Sequence, residues 1–130
     1  MEIKSYKKGD LIFSEGEHSS AMYILLEGEV EIYIVTSTHE KKLSNMKQNS
    51  FFGEMSLFRG KPRSANARAV IDAKVAIIDS KQKLEQFIIE RPVFAAKMVG
   101  IMAERLAHTN ELLVETTNEL NNLKHEIDLL

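Results

Sequence analysis

Hydrophobic positions follow two regimes along this chain, and the change comes at Pro92. Before it, short apolar stretches alternate with turn residues. Leu11-Ile12-Phe13 is followed by Glu15-Gly16-Glu17, and Met22 to Leu26 by Glu27-Gly28-Glu29. Val30, Ile32 and Ile34 alternate with Glu31 and Tyr33, the period-two signature of a half-buried strand. Ala65, Ala67, Ala69 and Ile71 repeat that period, and Val75 to Ile78 is a short buried run. Many short strands at near-regular spacing predict an antiparallel sandwich or barrel. Gly9, Gly16 and Gly28 fit tight corners between strands. Two short helices interrupt the pattern. One runs from Glu54 to Phe58 after Gly53; the other is capped by Ser80, runs through Leu84, Phe87 and Ile88, and stops before Arg91-Pro92.

From Pro92 to Leu130 the period becomes helical. Pro92 suits a first helical turn, and Gly100 is the only glycine beyond it. The predicted helix is roughly 55–60 Å long at 1.5 Å per residue. In steps of three and four it presents Val99, Met102, Leu106, Thr109, Leu113, Thr116, Leu120, Leu123, Ile127 and Leu130. That is a heptad seam of more than four repeats, and a lone helix cannot bury it. The expected organisation is therefore a β domain with short helices over residues 1–91 and a long helix over 92–130. The helix is expected to form a parallel coiled-coil homodimer through residues 95–130. Folding back onto its own domain is the alternative, but the stripe outruns a domain this small.

Composition narrows the function classes. Of 130 residues, 44% are hydrophobic and 28% charged, as in an ordinary soluble domain. Seventeen Lys and Arg against nineteen Asp and Glu leave a net charge of −2, no footprint for nucleic acid or an anionic membrane. Residues 111–130 are acidic (Glu111, Glu115, Glu119, Glu126 and Asp128 against Lys124) and should repel DNA. The absence of cysteine excludes a disulfide scaffold, a thiolate metal site and a cysteine nucleophile. The histidines at 18, 39, 108 and 125 lack metal-ligand spacing, so no metal is expected. Without a spanning segment or signal peptide, the expected location is cytoplasmic.

The densest chemistry lies between residues 52 and 67. Phe52-Gly53-Glu54-Met55-Ser56-Leu57 leads into Phe58-Arg59-Gly60-Lys61-Pro62 and then Arg63-Ser64-Ala65-Asn66-Ala67. A strand end, a glycine, a short helix and a returning arginine combine three devices. The helix start offers main-chain N–H groups to an anion, the glycine allows close approach, and Arg63 offers a planar fork for two phosphate oxygens. A carboxylate facing a phosphate would be repelled, so Glu54 reads as an acceptor for a sugar hydroxyl. One anion, one hydroxyl and a wall of small residues describe a sugar-phosphate pocket.

These residues resemble the phosphate-binding cassette of cyclic nucleotide-binding domains, as in the catabolite activator (CRP/FNR-like) family. The resemblance covers nearly the whole chain. Lys8-Gly9-Asp10-Leu11-Ile12-Phe13, Glu15-Gly16-Glu17, Met22-Tyr23-Ile24-Leu25 and Glu27-Gly28-Glu29-Val30 are similar to its opening strands. It implies a mainly β fold with α: a cyclic nucleotide-binding β-roll, a double-stranded jelly-roll-like barrel, followed by a long C-terminal dimerisation helix. It also implies that Glu54 binds the ribose 2′-hydroxyl, that Arg63 binds the cyclic phosphate, and that Ser64, Gly53 and Met55 add phosphate contacts. Met102 to Asn110 is similar to the family's dimer helix, where a Thr-Ser pair meets the adenine. Thr109 matches the threonine, and Asn110 stands where the serine would be.

The function expected from this resemblance is a non-catalytic sensor that binds cAMP, with cGMP as the alternative ligand, and signals through its helix. It would be either the sensor part of a longer transcription regulator or a free-standing module. Two other classes fit parts of the sequence. A cupin-like enzyme needs facing His and carboxylate ligands, whose spacing is absent. A dimerisation scaffold with an empty pocket or a different effector would keep the seam and lose nucleotide binding.

Overall fold

Eight strands assemble into two four-stranded antiparallel sheets in the computed structural model, which describes residues 1–130. They are β1 (Glu2–Tyr6), β2 (Leu11–Phe13), β3 (Met22–Glu27), β4 (Val30–Val35), β5 (Glu40–Met46), β6 (Phe51–Phe52), β7 (Asn66–Ala69) and β8 (Ala73–Ile78). The strand orders are β1-β8-β3-β6 and β2-β7-β4-β5. First and last strands pair in one sheet and second and seventh in the other, the interleaving of a jelly roll. Helices α1 (Glu54–Arg59), α2 (Lys81–Glu90) and α3 (Pro92–Asp128) complete the chain. It divides into two compact units, Met1–Arg91 and Pro92–Leu130.

The core of the first unit lies between the sheets. Tyr6, Tyr23, Leu25, Phe52, Ala73 and Val75 from one sheet meet Ile12, Phe13, Val30, Ala67 and Ala69 from the other. Ala67 and Ala69 carry almost no side-chain volume, which leaves room for Phe13, Tyr23 and Phe52. Those three rings pack with centroids 5.2–6.1 Å apart. Met22 and Ile24 alternate with Tyr23 and Leu25, so they point to the other face of β3, and they too are buried. α2 lies against β8 and buries Leu84 and Phe87. Its first turn is closed as expected: the Ser80 hydroxyl accepts from Lys83 N–H at 3.2 Å.

β4 departs from simple alternation. Tyr33, read as a polar position, is buried, while Ile34 stays half-buried. A register shift against β5 falls between Ile32 and Tyr33. The Arg68 guanidinium stacks 4.2 Å from the Tyr33 ring while pairing with Glu31 and, at 2.9 Å, with Glu40. A charged lid from the neighbouring strand thus covers an aromatic that the local period leaves in water.

The second unit is a single helix of 37 residues, none of them buried. The seam is exposed, with Leu106 and Leu113 at 63% and Leu120 at 60%. Leu130, its last expected position, lies beyond the helix end at Asp128. No helix is long and apolar enough to cross a membrane.

Gly28 sets the β3–β4 corner. Its φ is +96°, and an added Cβ would stand 2.4 Å from the Asp72 carbonyl oxygen and 2.8 Å from Ala73 Cα. Both the left-handed conformation and the contact exclude a side chain. Gly28→Ala should therefore cost about 3 kcal/mol, strain and overlap combined, with an unchanged m-value in urea unfolding. Wild-type stability in that variant would refute the close approach of the two corners.

Candidate functional site

α1 is six residues long because glycines in left-handed conformation stand at both ends. Gly53 (φ +81°) precedes it and Gly60 (φ +63°) closes it, donating its N–H to Ser56 O at 3.0 Å. No side chain caps its first turn, formed by Glu54 and Met55. Ser56 and Leu57 turn inward, whereas Met55 is exposed. The chain then returns through Lys61-Pro62 to Arg63, whose backbone is pinned to the β2–β3 loop. Arg63 N–H donates to Glu17 O at 2.9 Å, and Arg63 O accepts from Gly16 N–H at 2.8 Å.

The side chain of Arg63 turns into the molecule and is only 3% exposed. Nη1 donates to Gly53 O at 3.1 Å; Nη2 donates to Ala21 O at 2.6 Å and to Ser19 Oγ at 3.2 Å. The guanidinium lies 4.3 Å from the Phe13 ring centroid and 5.6 Å from that of Tyr23. Its Nε–H is buried and has no partner. All of these acceptors are neutral. A buried cation met only by carbonyls, a hydroxyl and ring faces is not neutralised, and Nε–H is an unused donor. Burial raises the Tyr23 hydroxyl above its ordinary range against the opposing pull of Arg63, so the ring beside the cation is neutral.

Gly53 and Arg63 form a steric pair. A Cβ at Gly53 would stand 2.9 Å from Arg63 Nη1 and 3.2 Å from Ala21 O. The glycine read as an aperture for a ligand is therefore also the space that the arginine fills. Ser64 follows on the exposed side of the same turn, and Glu54 is half-buried at the start of α1. Five of the residues singled out by sequence thus sit on one α1–β7 segment. Thr109 and Asn110 belong to the second unit, on α3. The Thr109 hydroxyl donates to Arg105 O one turn back at 2.9 Å, so it is satisfied on its own helix, as Thr117 is on Leu113 O at 2.8 Å. A seam polar at this position therefore needs no ligand to satisfy its hydroxyl.

A concavity of about 350 Å³, lined by Tyr6, Lys7, Glu27 and Asp72 among others, contains none of these residues. The Arg63 guanidinium is instead enclosed by its own protein partners. No group of three or more His, Asp or Glu side chains is arranged to hold a metal ion.

The family model "Cyclic nucleotide-binding domain" matches residues 3–91. The chain belongs to that family. Its cassette, with the glycine, the short helix and the returning arginine, lies wholly inside the matched span. A CRP-like cAMP-activated global transcriptional regulator of Mycobacterium tuberculosis is 29% identical over 111 residues, 85% of this chain and 49% of the regulator. A cGMP-dependent protein kinase of Plasmodium berghei is 32% identical over 93% of this chain but only 12% of the kinase. Among solved structures, the Thermus thermophilus catabolite activator protein superposes with a TM-score of 0.70 at 27% identity, over 86% of this chain and 53% of that one. The cAMP-bound form of the EAL enzyme Bd1971 gives 0.61 at 28% identity, over 81% of this chain and 31% of that one. The chain thus spans about half the length of the regulators it matches, and much less of the kinase.

Within this cyclic nucleotide-binding domain, the residues that sequence reasoning missed are the arginine's hosts: Phe13, Tyr23, Ala21 and Ser19. Phe13 and Tyr23 carried a signal, being aromatic core positions on strands that flank the cassette. Ala21 acts through its carbonyl and left none. Gly53→Ala should lower stability by about 2 kcal/mol, the sum of left-handed strain and the clash with Nη1. A stability within 0.5 kcal/mol of wild type (about the scatter of neutral surface changes) would show that Arg63 does not lean on that position.

Proposed function

We propose that this domain is the cAMP-sensing part of a dimeric, non-catalytic regulator working in the cytoplasm, with cGMP as the competing ligand. The observation that carries the reading is Arg63: a buried cation with neutral partners and one spare N–H, set against an uncapped helix start. In this reading the phosphate takes Arg63, Ser64 and the main chain of Gly53 and Met55, and Glu54 accepts from the ribose 2′-hydroxyl. Thr109 and Asn110 on α3 meet the base. The preference for cAMP draws support from the Mycobacterium relative, whose name is that of a cAMP-activated regulator. The cGMP alternative draws support from the Plasmodium kinase. Because that Mycobacterium regulator is about twice as long as this chain, the proposed output is transcriptional control by a longer protein.

The ligand can shift an equilibrium only if it binds two conformations with different affinity. Arg63 supplies such a difference, since its charge is turned toward its own protein in the structure described here. At a hundredfold excess over Kd, cAMP should stabilise the domain by about 2.7 kcal/mol, several degrees in Tm. Arg63→Lys keeps the charge and loses the fork; it should lower the free domain's Tm and weaken cAMP at least about a hundredfold. No Tm shift with either nucleotide would favour the scaffold reading instead.

The dimer rests on α3. With Val99, Leu106, Leu113, Leu120 and Ile127 at a positions, Met102, Thr109, Thr116 and Leu123 fall at d. Glu119 then occupies g and Lys124 the following e. A parallel pair places Glu119 of one copy opposite Lys124 of the other, a favourable contact specific to that orientation. Leu113→Glu should convert a dimer into a monomer in sedimentation velocity without changing the far-ultraviolet signal of the β domain. A wild-type chain that sediments as a monomer at tens of micromolar would end the dimer proposal.

A further inference from the structure

The β2–β3 loop grips the functional cation with a side chain. Ser19 Oγ accepts from Arg63 Nη2 at 3.2 Å, is itself held by Ala21 N–H at 3.2 Å, and stands two residues before the Ala21 carbonyl that binds the same Nη2 at 2.6 Å. Residues 19 and 21 thus clasp one nitrogen, while Nη1 is engaged by Gly53 O. Ala21 O lies 3.2 Å from the point where a Gly53 Cβ would stand, so the residues that supply the two carbonyls are neighbours. Nη2 carries two hydrogens and two acceptors, so one of those acceptors lies on the edge shared with the unpartnered Nε–H, and Ser19 Oγ makes the longer of the two contacts. That is the edge on which an arginine receives two oxygens of a phosphate.

We propose that Ser19 Oγ is a built-in stand-in for a phosphate oxygen: it occupies half of the Arg63 fork in the free protein and sets how tightly the ligand binds. The proposal rests on Arg63 as the phosphate-binding residue. On binding, one ligand oxygen replaces Ser19 Oγ on Nη2 and a second takes Nε–H, so the Gly53 and Ala21 bonds need not break. An anionic oxygen outcompetes a neutral hydroxyl for a guanidinium, but only by the difference between the two bonds. Ser19 therefore lowers affinity. It is a positioning residue, half-buried at the loop surface, and the longest and most replaceable of the three contacts on Arg63.

Two variants and two readouts test this. Calorimetric titration with cAMP and cGMP measures affinity in wild type, Ser19→Ala and Ser19→Asp. Phenylglyoxal modification without ligand, followed by peptide mass spectrometry, measures how readily Arg63 leaves its seat, with exposed Arg59 as the internal reference. Ser19→Ala should bind nucleotide about fivefold more tightly, the worth of one modest hydrogen bond, and Arg63 should react several times faster relative to Arg59. Ser19→Asp installs a permanent anion at the fork. It should weaken nucleotide at least about tenfold and protect Arg63, because a charge-assisted bond is roughly twice as strong as a neutral one. Equal or weaker binding by Ser19→Ala, or Arg63 reactivity unchanged in both variants, overturns the proposal. If wild type binds neither nucleotide, the functional reading fails by itself, and the arginine reactivities still decide whether Ser19 restrains Arg63.

Discussion

A guanidinium buried without an anion is the constraint around which the first unit is organised. Three separate segments answer it: Ser19 and Ala21 before β3, Gly53 at the end of β6, and the ring faces of Phe13 and Tyr23 in the core. Each supplies dipole or quadrupole and none supplies charge. Such partners hold a cation in place at tolerable cost but do not neutralise it. The same constraint explains the glycine at 53, since any side chain there would meet Nη1 and Ala21 O. Under the proposed function, stability and ligand recognition share one side chain, and a substitution at Arg63 disturbs both.

The topology builds this arrangement from contacts that are distant in sequence. β2 pairs with β7 and β1 with β8, so neighbouring strands come from opposite ends of the β domain. The main chain of Arg63, just before β7, is tied to Gly16 and Glu17, just after β2. None of these contacts is local, and the site exists only once both sheets have closed. A ligand that stabilises the site consequently stabilises the whole sandwich, which makes thermal shift a sound readout for this domain.

Much of this was legible in the sequence, and the gaps have physical causes. The long helix α3, the Ser80 cap of α2 and the short helix after Gly53 follow from local chemistry, and all three are present. β1 and β5 left no pattern. Each is an edge strand carrying several Glu or Lys (Glu2 and Lys4 in one, Glu40, Lys41 and Lys42 in the other), and edges exposed on both faces do not alternate. Tyr33 was misjudged because its cover, Arg68, is a cross-strand neighbour 35 positions away. The cassette was legible as a motif, and its residues do share one segment. The inward turn of Arg63 was not, because it depends on a loop hydroxyl and a carbonyl that no local spacing connects to it.

Under the proposed function, a sensor is served by this self-engagement. If Arg63 stood free and fully available, ligand affinity would be set by the fork alone, with no internal competitor to lower it. When the free state satisfies most of the guanidinium internally, apparent affinity falls by the fraction of molecules whose fork is open. That penalty is adjustable by single substitutions at the loop surface, leaving the fork and the helix start untouched. Phe13 in the core and Gly53 against Arg63 offer no such freedom, because each is fixed by close neighbours. Sensitivity can therefore be tuned at the rim of the site while its chemistry stays constant, and the half-buried position of Ser19 is where such tuning costs the fold least.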